Sequence, residues 1–228
     1  MPIMKNVVGL DLGSHTVKAV ELRQTLRGLE PVQMRVHPRA DPEAPVAELM
    51  RRFVKMHQIQ MDQVVCAVPG DRLSSRHLEF PFRDRKKLIQ AVPFEVEGEI
   101  PFDIDDVLID WEIVGGERNH AVVAASIAPK REVARMLEGL AEWGCDPRTL
   151  EGEGLALGNL AHLFGLQGTR LLVDLGHRKT TFCLLQNERP VAARTIPVGG
   201  QAITEAIAKD RDWNVADAEH AKCEDGIF

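Results

Sequence analysis

The sequence predicts an α/β protein in which one short motif occurs twice. The stretch VVGLDLGSHTVKAVEL, residues 7–22, returns in outline as LLVDLGHRKTTFCLL, residues 171–185, each with Asp-Leu-Gly at the end of an apolar run. Segments with apolar residues at helical spacing alternate along the chain with short Val-rich runs that are typical of strands. The two motifs are 174 − 11 = 163 residues apart, which is too far for a short-period repeat protein.

The composition excludes several classes of protein. Of the 228 residues, 44% are hydrophobic and 27% are charged, which is typical of a soluble globular protein. The net charge of −6 gives no general attraction to nucleic acid. The basic run RDRKK, residues 83–87, is interpreted as a solvated helix start, with an anion or lipid-surface patch as the alternative. Wide spacing disfavours a zinc site or a disulfide framework for the four cysteines, Cys66, Cys145, Cys183 and Cys223.

Membrane insertion is not expected. No apolar run approaches the roughly 18 residues of a membrane span, and the N-terminus lacks the apolar core of a signal peptide. We therefore expect a cytoplasmic protein, which still permits a peripheral place in a membrane machine.

The first half of the chain predicts one α/β unit and an insertion into it. A hairpin around GSH is predicted from KNVVGLDLG and TVKAVELRQ, with a third strand in LEPVQMRVHP. A helix is predicted in PEAPVAELMRRFVKMHQI, followed by a buried strand in DQVVCAVPG. A β-α-β-β-α run over about residues 74–143 then predicts a small inserted subdomain. Its first helix is expected to be strained or kinked at Pro93, and its second helix to stop at Gly144.

The second half predicts a return to the first unit and then a repeat of its opening. A strand entry and a helix are expected in RTLEGEGLALGNLAHLFG. Three strands are then expected in TRLLVDLGHRKTTFCLLQNERPVAARTIPVGG, and two helices in QAITEAIAKDRDWNVADAEHAK. We expect this second lobe to be incomplete at its C-terminal end.

The first hairpin turn carries residue types that bind phosphate. A turn rich in Gly, Ser and Thr presents several backbone N–H groups to one point. Ser14 and Thr16 add hydroxyl donors, and Lys18 adds a point charge suited to phosphate. Asp11 is predicted to bind the water shell of Mg²⁺, because a carboxylate repels phosphate and attracts the metal.

The second turn repeats this arrangement with different side chains. Asp174 takes the place of Asp11, and the hydroxyls of Thr180 and Thr181 are displaced along the turn, where His177, Arg178 and Lys179 replace Ser14, His15 and Thr16. Two such hairpins facing each other would grip a di- or triphosphate and its metal from both sides. The alternative is that each Asp-Leu-Gly is only a strand-ending turn.

Two further features adjoin the turns. Gly199 and Gly200 precede a helix start, where an anion approaches the helix N-terminus closely, and a tight strand-to-helix connection is the alternative. His15 and His177 are candidates for proton transfer, and exposed turn histidines are the alternative.

These stretches resemble known families. VVGLDLGSHTVKAVEL resembles the first phosphate motif of the actin, Hsp70 and sugar-kinase superfamily, LLVDLGHRKTTFCLL its second, and PVGGQAIT the Gly-containing segment that follows. Two longer stretches resemble the PilM family of type IV pilus assembly proteins: FPFRDRKKLIQAVPFEVEGEIPFDIDDVLIDWEIV and VVAASIAPKREVARMLEGLAEWGCDPRTLEGEGLAL. The resemblance covers about residues 6–222, and GspL, the L protein of type II secretion, has a cytoplasmic domain of the same ancestry.

The resemblance implies an actin-like (RNase H-like) fold in four parts. These are subdomain 1A over 1–73, an inserted subdomain 1C as in FtsA over 74–143, a return to 1A over 144–168, and an incomplete subdomain 2A over 169–228. It also implies ATP and Mg²⁺ as ligands, with Asp11 and Asp174 at the metal. The implied binding residues are Asp11, Gly13, Ser14, His15, Thr16, Lys18, Asp174, Gly176, Thr180, Thr181, Gly199 and Gly200.

The resemblance implies partners as well. The cytoplasmic tail of a PilN-like inner-membrane protein would dock between subdomains 1C and 1A, which gives a scaffold held at the inner membrane through its partners. Assembly ATPase or platform proteins and self-association are further expectations, and no nucleic acid is expected. No residue stands out as a general base, so we expect a slow ATPase at most.

Two other functions are open at this point. One is the cytoplasmic domain of a GspL-like secretion protein that has lost nucleotide binding. The other is a metabolic kinase of the same superfamily, which needs a base to deprotonate a substrate hydroxyl.

Overall fold

Three β-sheets organise the chain, and the computed structural model describes residues 6–26, 28–39, 46–61 and 63–226. The first sheet has the order β3-β2-β1-β4-β8, with an antiparallel meander followed by two strands parallel to β1. Its elements are β1 (Asn6–Leu12), β2 (Thr16–Thr25), β3 (Gly28–Pro38), α1 (Val46–His57), β4 (Val64–Val68) and β8 (Thr149–Gly152). This confirms the predicted strands; residues 42–45, where the predicted helix begins, lie outside the described residues.

The core of this unit forms between the sheet and α1. Alternate residues of the strands turn inward, as the period of a strand requires, and Met50 and Phe53 of α1 pack on them. The buried Glu21 in the middle of β2 accepts hydrogen bonds from the side-chain amides of Asn6 (2.7 Å) and Gln33 (2.5 Å), so its carboxylate oxygens are hydrogen-bonded.

The inserted segment forms a second, antiparallel sheet with the order β5-β7-β6. Its elements are β5 (Ser74–Phe80), α2 (Arg85–Glu97), β6 (Val107–Gly115), β7 (Ala121–Pro129) and α3 (Lys130–Ala141), which confirms the predicted β-α-β-β-α order. α2 runs through Pro93 as one helix, with the Asp84 carboxylate accepting from the Lys87 N–H at its start. α3 packs its buried Leu140 into the core of the first sheet, beside Cys145.

The third sheet repeats the opening meander with the order β11-β10-β9. Here β9 (Thr169–Leu175), β10 (Thr180–Gln186) and β11 (Arg189–Ile196) lie against α4 (Glu153–Gly158) and α5 (Leu160–Phe164). A Cβ atom on Gly154 would lie 2.6 Å from the Cβ of Ala193, and one on Gly158 would lie 2.9 Å from the Cβ of Pro190. The two glycines therefore let α4 approach β11 closely.

Two helices follow the third sheet, α6 (Gly200–Arg211) and α7 (Val215–His220), as predicted. A short π-helical turn, Ala221–Asp225, continues from α7. Among the described residues, no helix combines the length and apolar character needed to cross a bilayer.

Candidate functional site

The two Asp-Leu-Gly hairpins meet in space. The rings of His15 and His177 lie with their centroids 4.8 Å apart and their planes tilted by 36°. Each ring belongs to a four-residue loop, 13–16 in the first sheet and 176–179 in the third, which we call the first loop and the second loop. The structure thus brings together the two loops that the sequence predicts to face each other.

The first loop is a tight turn held from β3. A Cβ atom on Gly13 would lie 2.6 Å from the carbonyl oxygen of Thr16, so the turn requires glycine there. The backbone N–H of Arg39 donates to the His15 carbonyl at 2.7 Å, and its guanidinium donates to the Gly13 carbonyl at 3.3 Å. Within the described ranges, the hydroxyls of Ser14 and Thr16 make no hydrogen bond, which leaves both groups for a ligand.

Asp11 and Lys18 lie opposite each other on β1 and β2, just before and after the first loop. The Lys18 Nζ is 2.5 Å from the Asp11 Oδ2, and the two side chains are 44% and 53% exposed. An exposed ion pair of this kind contributes little to stability. Separating the two side chains would therefore cost little.

The second loop has the same turn, but its Lys179 forms ion pairs with other parts of the protein. The Gly176 N–H donates to the Lys179 carbonyl at 2.9 Å, and a Cβ on Gly176 would lie 3.0 Å from that oxygen. The Lys179 Nζ lies 2.7 Å from the Glu153 Oε2 and 3.4 Å from the Asp71 Oδ1. The same Glu153 oxygen accepts the N–H of Gly70 at 2.7 Å. Lys179 thus ties the third sheet to the first unit.

The two threonines after the second loop have buried side chains with internal partners. The Thr180 hydroxyl donates to the carbonyl of Val198 at 2.6 Å, and the Thr181 hydroxyl lies 3.0 Å from that of Thr195. Their predicted contact with phosphate would require these hydrogen bonds to be exchanged. Asp174, by contrast, is exposed on β9, opposite Thr181.

Gly199 and Gly200 pack the start of α6 against the second loop. The N–H of Gly200 donates to the Gly176 carbonyl and that of Gln201 to the His177 carbonyl, both at 2.8 Å. A Cβ atom on Gly199 would lie 2.5 Å from the Gly176 oxygen. This is the geometry of a tight strand-to-helix connection, and it engages two of the N–H groups at the helix start that the sequence suggests for an anion.

Beside this helix start lies a polar network that the sequence does not predict. The Lys222 Nζ is 2.6 Å from the Glu219 Oε2, 2.9 Å from the Thr204 hydroxyl and 3.3 Å from the Gly200 carbonyl. Hydrogen bonds from Lys222 and then Thr204 lower the pKa of Glu219 to about 2. Burial lowers the pKa of the neighbouring His177, and the imidazole of His15 lowers it further. The network spans two helices, so only the Glu219–Lys222 spacing is visible in the sequence.

A cavity of about 540 Å³ lies where the inserted sheet, α4 and the third sheet meet. His77 on β5 closes one side, with its Nε2 2.6 Å from the Val191 carbonyl on β11. The lining combines apolar residues such as Leu155 and Phe182 with Arg194. In the part of the chain that the structure describes, Arg194 makes no hydrogen bond or ion pair with another side chain.

Comparison with known proteins identifies the family. The family model described as type IV pilus assembly protein PilM matches residues 9–227. The chain belongs to the PilM family. A solved PilM–PilN type IV pilus biogenesis complex superposes with a TM-score of 0.80 at 24% identity, over 96% of this chain and 69% of that chain.

Two more distant structures share the fold. The first is the cytoplasmic domain of EpsL, an inner-membrane component of the type II secretion system of Vibrio cholerae. It matches with a TM-score of 0.56 at 14% identity, over 92% of this chain and 78% of that one. The second is the ethanolamine utilization protein EutJ from Carboxydothermus hydrogenoformans, with a TM-score of 0.54 at 16% identity over 96% and 62%. The predicted actin-like α/β fold is confirmed.

The predicted Mg²⁺ site of this PilM family member would have few protein ligands. Among the described residues, no group of three or more His, Cys, Asp or Glu side chains is close enough to hold a metal ion. Mg²⁺ in nucleotide sites usually keeps several waters and takes one or two carboxylates with phosphate oxygens. The exposed carboxylates of Asp11 and Asp174 fit that chemistry, and their role as metal residues stays a prediction.

Proposed function

We propose that this PilM family protein is an actin-like scaffold of type IV pilus assembly that binds Mg-ATP between its two loops and holds the tail of a PilN-like membrane protein. The observation that carries the nucleotide part is the 4.8 Å contact between His15 and His177. A ligand with several phosphates at this junction reaches both loops at once.

The chain's own groups have distinct tasks in this proposal. The hydroxyls of Ser14 and Thr16 and the ammonium of Lys18 bind phosphate oxygens, and the Asp11 carboxylate orients the water shell of the metal. No described residue is assigned as a general base, so the proposal assigns the ligand a structural effect rather than turnover. A ligand that contacts both loops favours the state in which they are close together.

The cavity beside β5 is the proposed site for the partner's tail. It lies where the inserted sheet, α4 and the third sheet meet, and an extended peptide would find there apolar walls and the charge of Arg194. A short run of contacts joins the two sites: Lys179 of the second loop bonds Glu153, and Glu153 accepts the N–H of Gly70, which lines the cavity. Movement of the second loop is therefore expected to change the cavity.

Calorimetric titration of this chain with Mg-ATP tests the nucleotide part. We expect binding by the wild type and a loss of at least about tenfold in affinity for Asp11→Ala. Asp210→Ala is the matched control, because Asp210 is 80% exposed on α6. Absence of binding by the wild type would contradict the nucleotide role and favour a scaffold without nucleotide, as expected for a GspL-like secretion domain.

A labelled peptide with the cytoplasmic tail sequence of a PilN-like protein tests the partner part by fluorescence anisotropy. Arg194→Glu is expected to weaken binding at least about tenfold, because it reverses the charge on the cavity wall. Arg189→Glu, on the same strand but outside the cavity, should bind like the wild type. Equal binding by the two variants would place the tail elsewhere on the protein.

A further inference from the structure

The outer face of α2 exposes large apolar side chains. Ile89 is 56% exposed and Phe94 is 76% exposed, while Leu88, Val92 and Val96 bury the opposite face in the core of the inserted subdomain. Single exposed apolar residues are common on protein surfaces. What distinguishes α2 is the distribution of charge around them.

The charges on α2 are arranged against the helix dipole. Lys86 and Lys87 lie in the first turn, which has no acidic residue, and Glu95 and Glu97 lie in the last turn, which has no basic residue. The N-terminus of a helix carries partial positive charge and its C-terminus partial negative charge. Both sets of side chains therefore destabilise α2 when it is considered alone.

These charges do not compensate one another within the protein. Lys86 and Glu97 are eleven residues apart, which at about 1.5 Å per residue separates them by roughly 16 Å along the helix. The Lys87 Nζ lies 6.0 Å from the centroid of the Phe82 ring. Among the described residues, Lys86, Glu95 and Glu97 form no ion pair. At the acidic end, a shallow cleft of about 370 Å³ is bordered by Phe94, Glu95, Glu97, Gly98 and Glu99.

An antiparallel copy of the same helix would satisfy this surface. Lys86, Gln90, Pro93 and Glu97 follow helical spacing along the face opposite the buried one, with Ile89 and Phe94 on either side. A two-fold axis at the middle of this face sets Lys86 of one copy beside Glu97 of the other, and covers the flanking apolar residues. It also sets the two helix dipoles antiparallel. An anionic membrane surface would instead be repelled by the acidic half.

We propose that α2 is a self-association surface whose partner is α2 of a second copy of this chain. The helix has 13 residues and so a length of roughly 20 Å. A contact made by one helix of this length buries less than the about 800 Å² per partner that is typical of stable complexes. The dimer is therefore weak and depends on protein concentration. The proposal requires neither nucleotide nor a pilus partner.

The experiment is sedimentation equilibrium of the 228-residue chain and two double variants. We expect the wild type to dimerise with a Kd below about 1 mM, and more weakly at high salt. Lys86→Glu with Lys87→Glu makes both ends of α2 acidic, and Glu95→Lys with Glu97→Lys makes both ends basic. Each double variant alone should dimerise at least about tenfold more weakly, because like charges then face each other.

Mixing the two double variants separates this effect from misfolding. An acidic α2 opposite a basic α2 is complementary at both ends, so the mixture should form heterodimers at least as tightly as the wild type forms homodimers. Lys209→Glu with Arg211→Glu, which changes the net charge equally but on α6, should dimerise like the wild type. A wild type that stays monomeric at about 1 mM, a dimer that both double variants retain, or a mixture without heterodimers would overturn the proposal.

Discussion

The first and second loops share a backbone and differ in how their side chains are used. In each hairpin the last paired residues enclose the loop, with Leu12 opposite Val17 and Leu175 opposite Thr180. A glycine opens each loop and approaches the carbonyl of the fourth residue, Thr16 or Lys179. The duplication seen in the sequence is therefore a duplication of turn geometry.

The residues at equivalent places have different surroundings. Lys18, half exposed, faces Asp11, whereas its equivalent Thr181 is buried against Thr195. The equivalent of Thr16, whose hydroxyl has no partner among the described residues, is Lys179, which is bonded to Glu153. The first loop leaves its polar groups accessible, while the second uses its own to join two parts of the protein. The repeated turn thus has accessible polar side chains in one copy and internally bonded ones in the other.

The largest effect in this comparison is expected from the glycines that open the loops. Gly13→Ala should lower the free energy of unfolding by about 1–3 kcal/mol, because its Cβ would lie 2.6 Å from a backbone oxygen that the strands hold in place. Gly176→Ala should cost less than about 1 kcal/mol, since the corresponding distance is 3.0 Å. Urea denaturation measures both through the midpoint at constant m-value.

Gly139→Ala is the control for these substitutions. Gly139 lies in α3, and a Cβ atom there would meet nothing within 4 Å outside the backbone of its own helix. Alanine at this position should therefore stabilise the protein by roughly 0.5–1 kcal/mol. Equal destabilisation by Gly13→Ala and Gly176→Ala would mean that the two turns are equally tight, contrary to the distances of 2.6 and 3.0 Å.

Local patterns were sufficient to predict most of the fold. Alternating burial along β2 and the helical spacing in α1 are properties of short segments, so they can be read without knowing what packs against them. The partner of α3 could not be predicted in this way. Its apolar stripe shows that one face is buried, but not that Leu140 packs on the first sheet rather than on the sheet of its own insertion.

The geometry around the two loops follows from the sequence only in part, for a similar reason. Asp11 and Lys18 are near in sequence, and a hairpin turn sets them opposite each other. Thr180 and Thr181 are predicted from their hydroxyls alone, whereas the internal partners of those hydroxyls, the Val198 carbonyl and the Thr195 hydroxyl, lie in segments that only the folded chain brings together. The bond from Lys179 to Glu153 joins segments that only the folded chain brings together, and no spacing in the sequence indicates it.

Lysine-to-methionine substitutions, one next to the first loop and one in the second, are expected to have effects of intermediate size. Lys179→Met should lower the free energy of unfolding by about 1–2 kcal/mol, because Glu153, whose side chain is 22% exposed, loses its counter-charge. Lys18→Met should change stability by less than about 0.5 kcal/mol, because its ion pair is exposed. Urea denaturation measures the first effect, and the loss of Mg-ATP affinity expected for Lys18→Met is measured by calorimetry. Stability lost mainly at Lys18 would reverse the roles assigned to the two loops.

The smallest effect is a pH dependence at the contact between the loops. Burial and then the neighbouring His15 lower the pKa of His177 below its ordinary value of 6.5; Arg178 and Lys222 act in the same direction, and Glu219 opposes them. The unfolded chain therefore binds a proton at this residue more readily than the folded protein. Stability should fall as the pH is lowered through 6.5 toward the folded-state pKa, and it should be unaffected by this group well above 6.5.

His177→Gln removes this proton-binding difference, so its stability should change less with pH than that of the wild type. The expected difference between about pH 7.5 and about pH 5.5 is about a few tenths of a kcal/mol, because the ring is partly exposed and its field is screened by water. Thermal unfolding at several pH values measures it, with His162→Gln on α5, whose side chain is 67% exposed, as the control. If His177→Gln kept the full wild-type slope while His162→Gln flattened it, proton binding between the two loops would not be what weakens the folded state in mild acid.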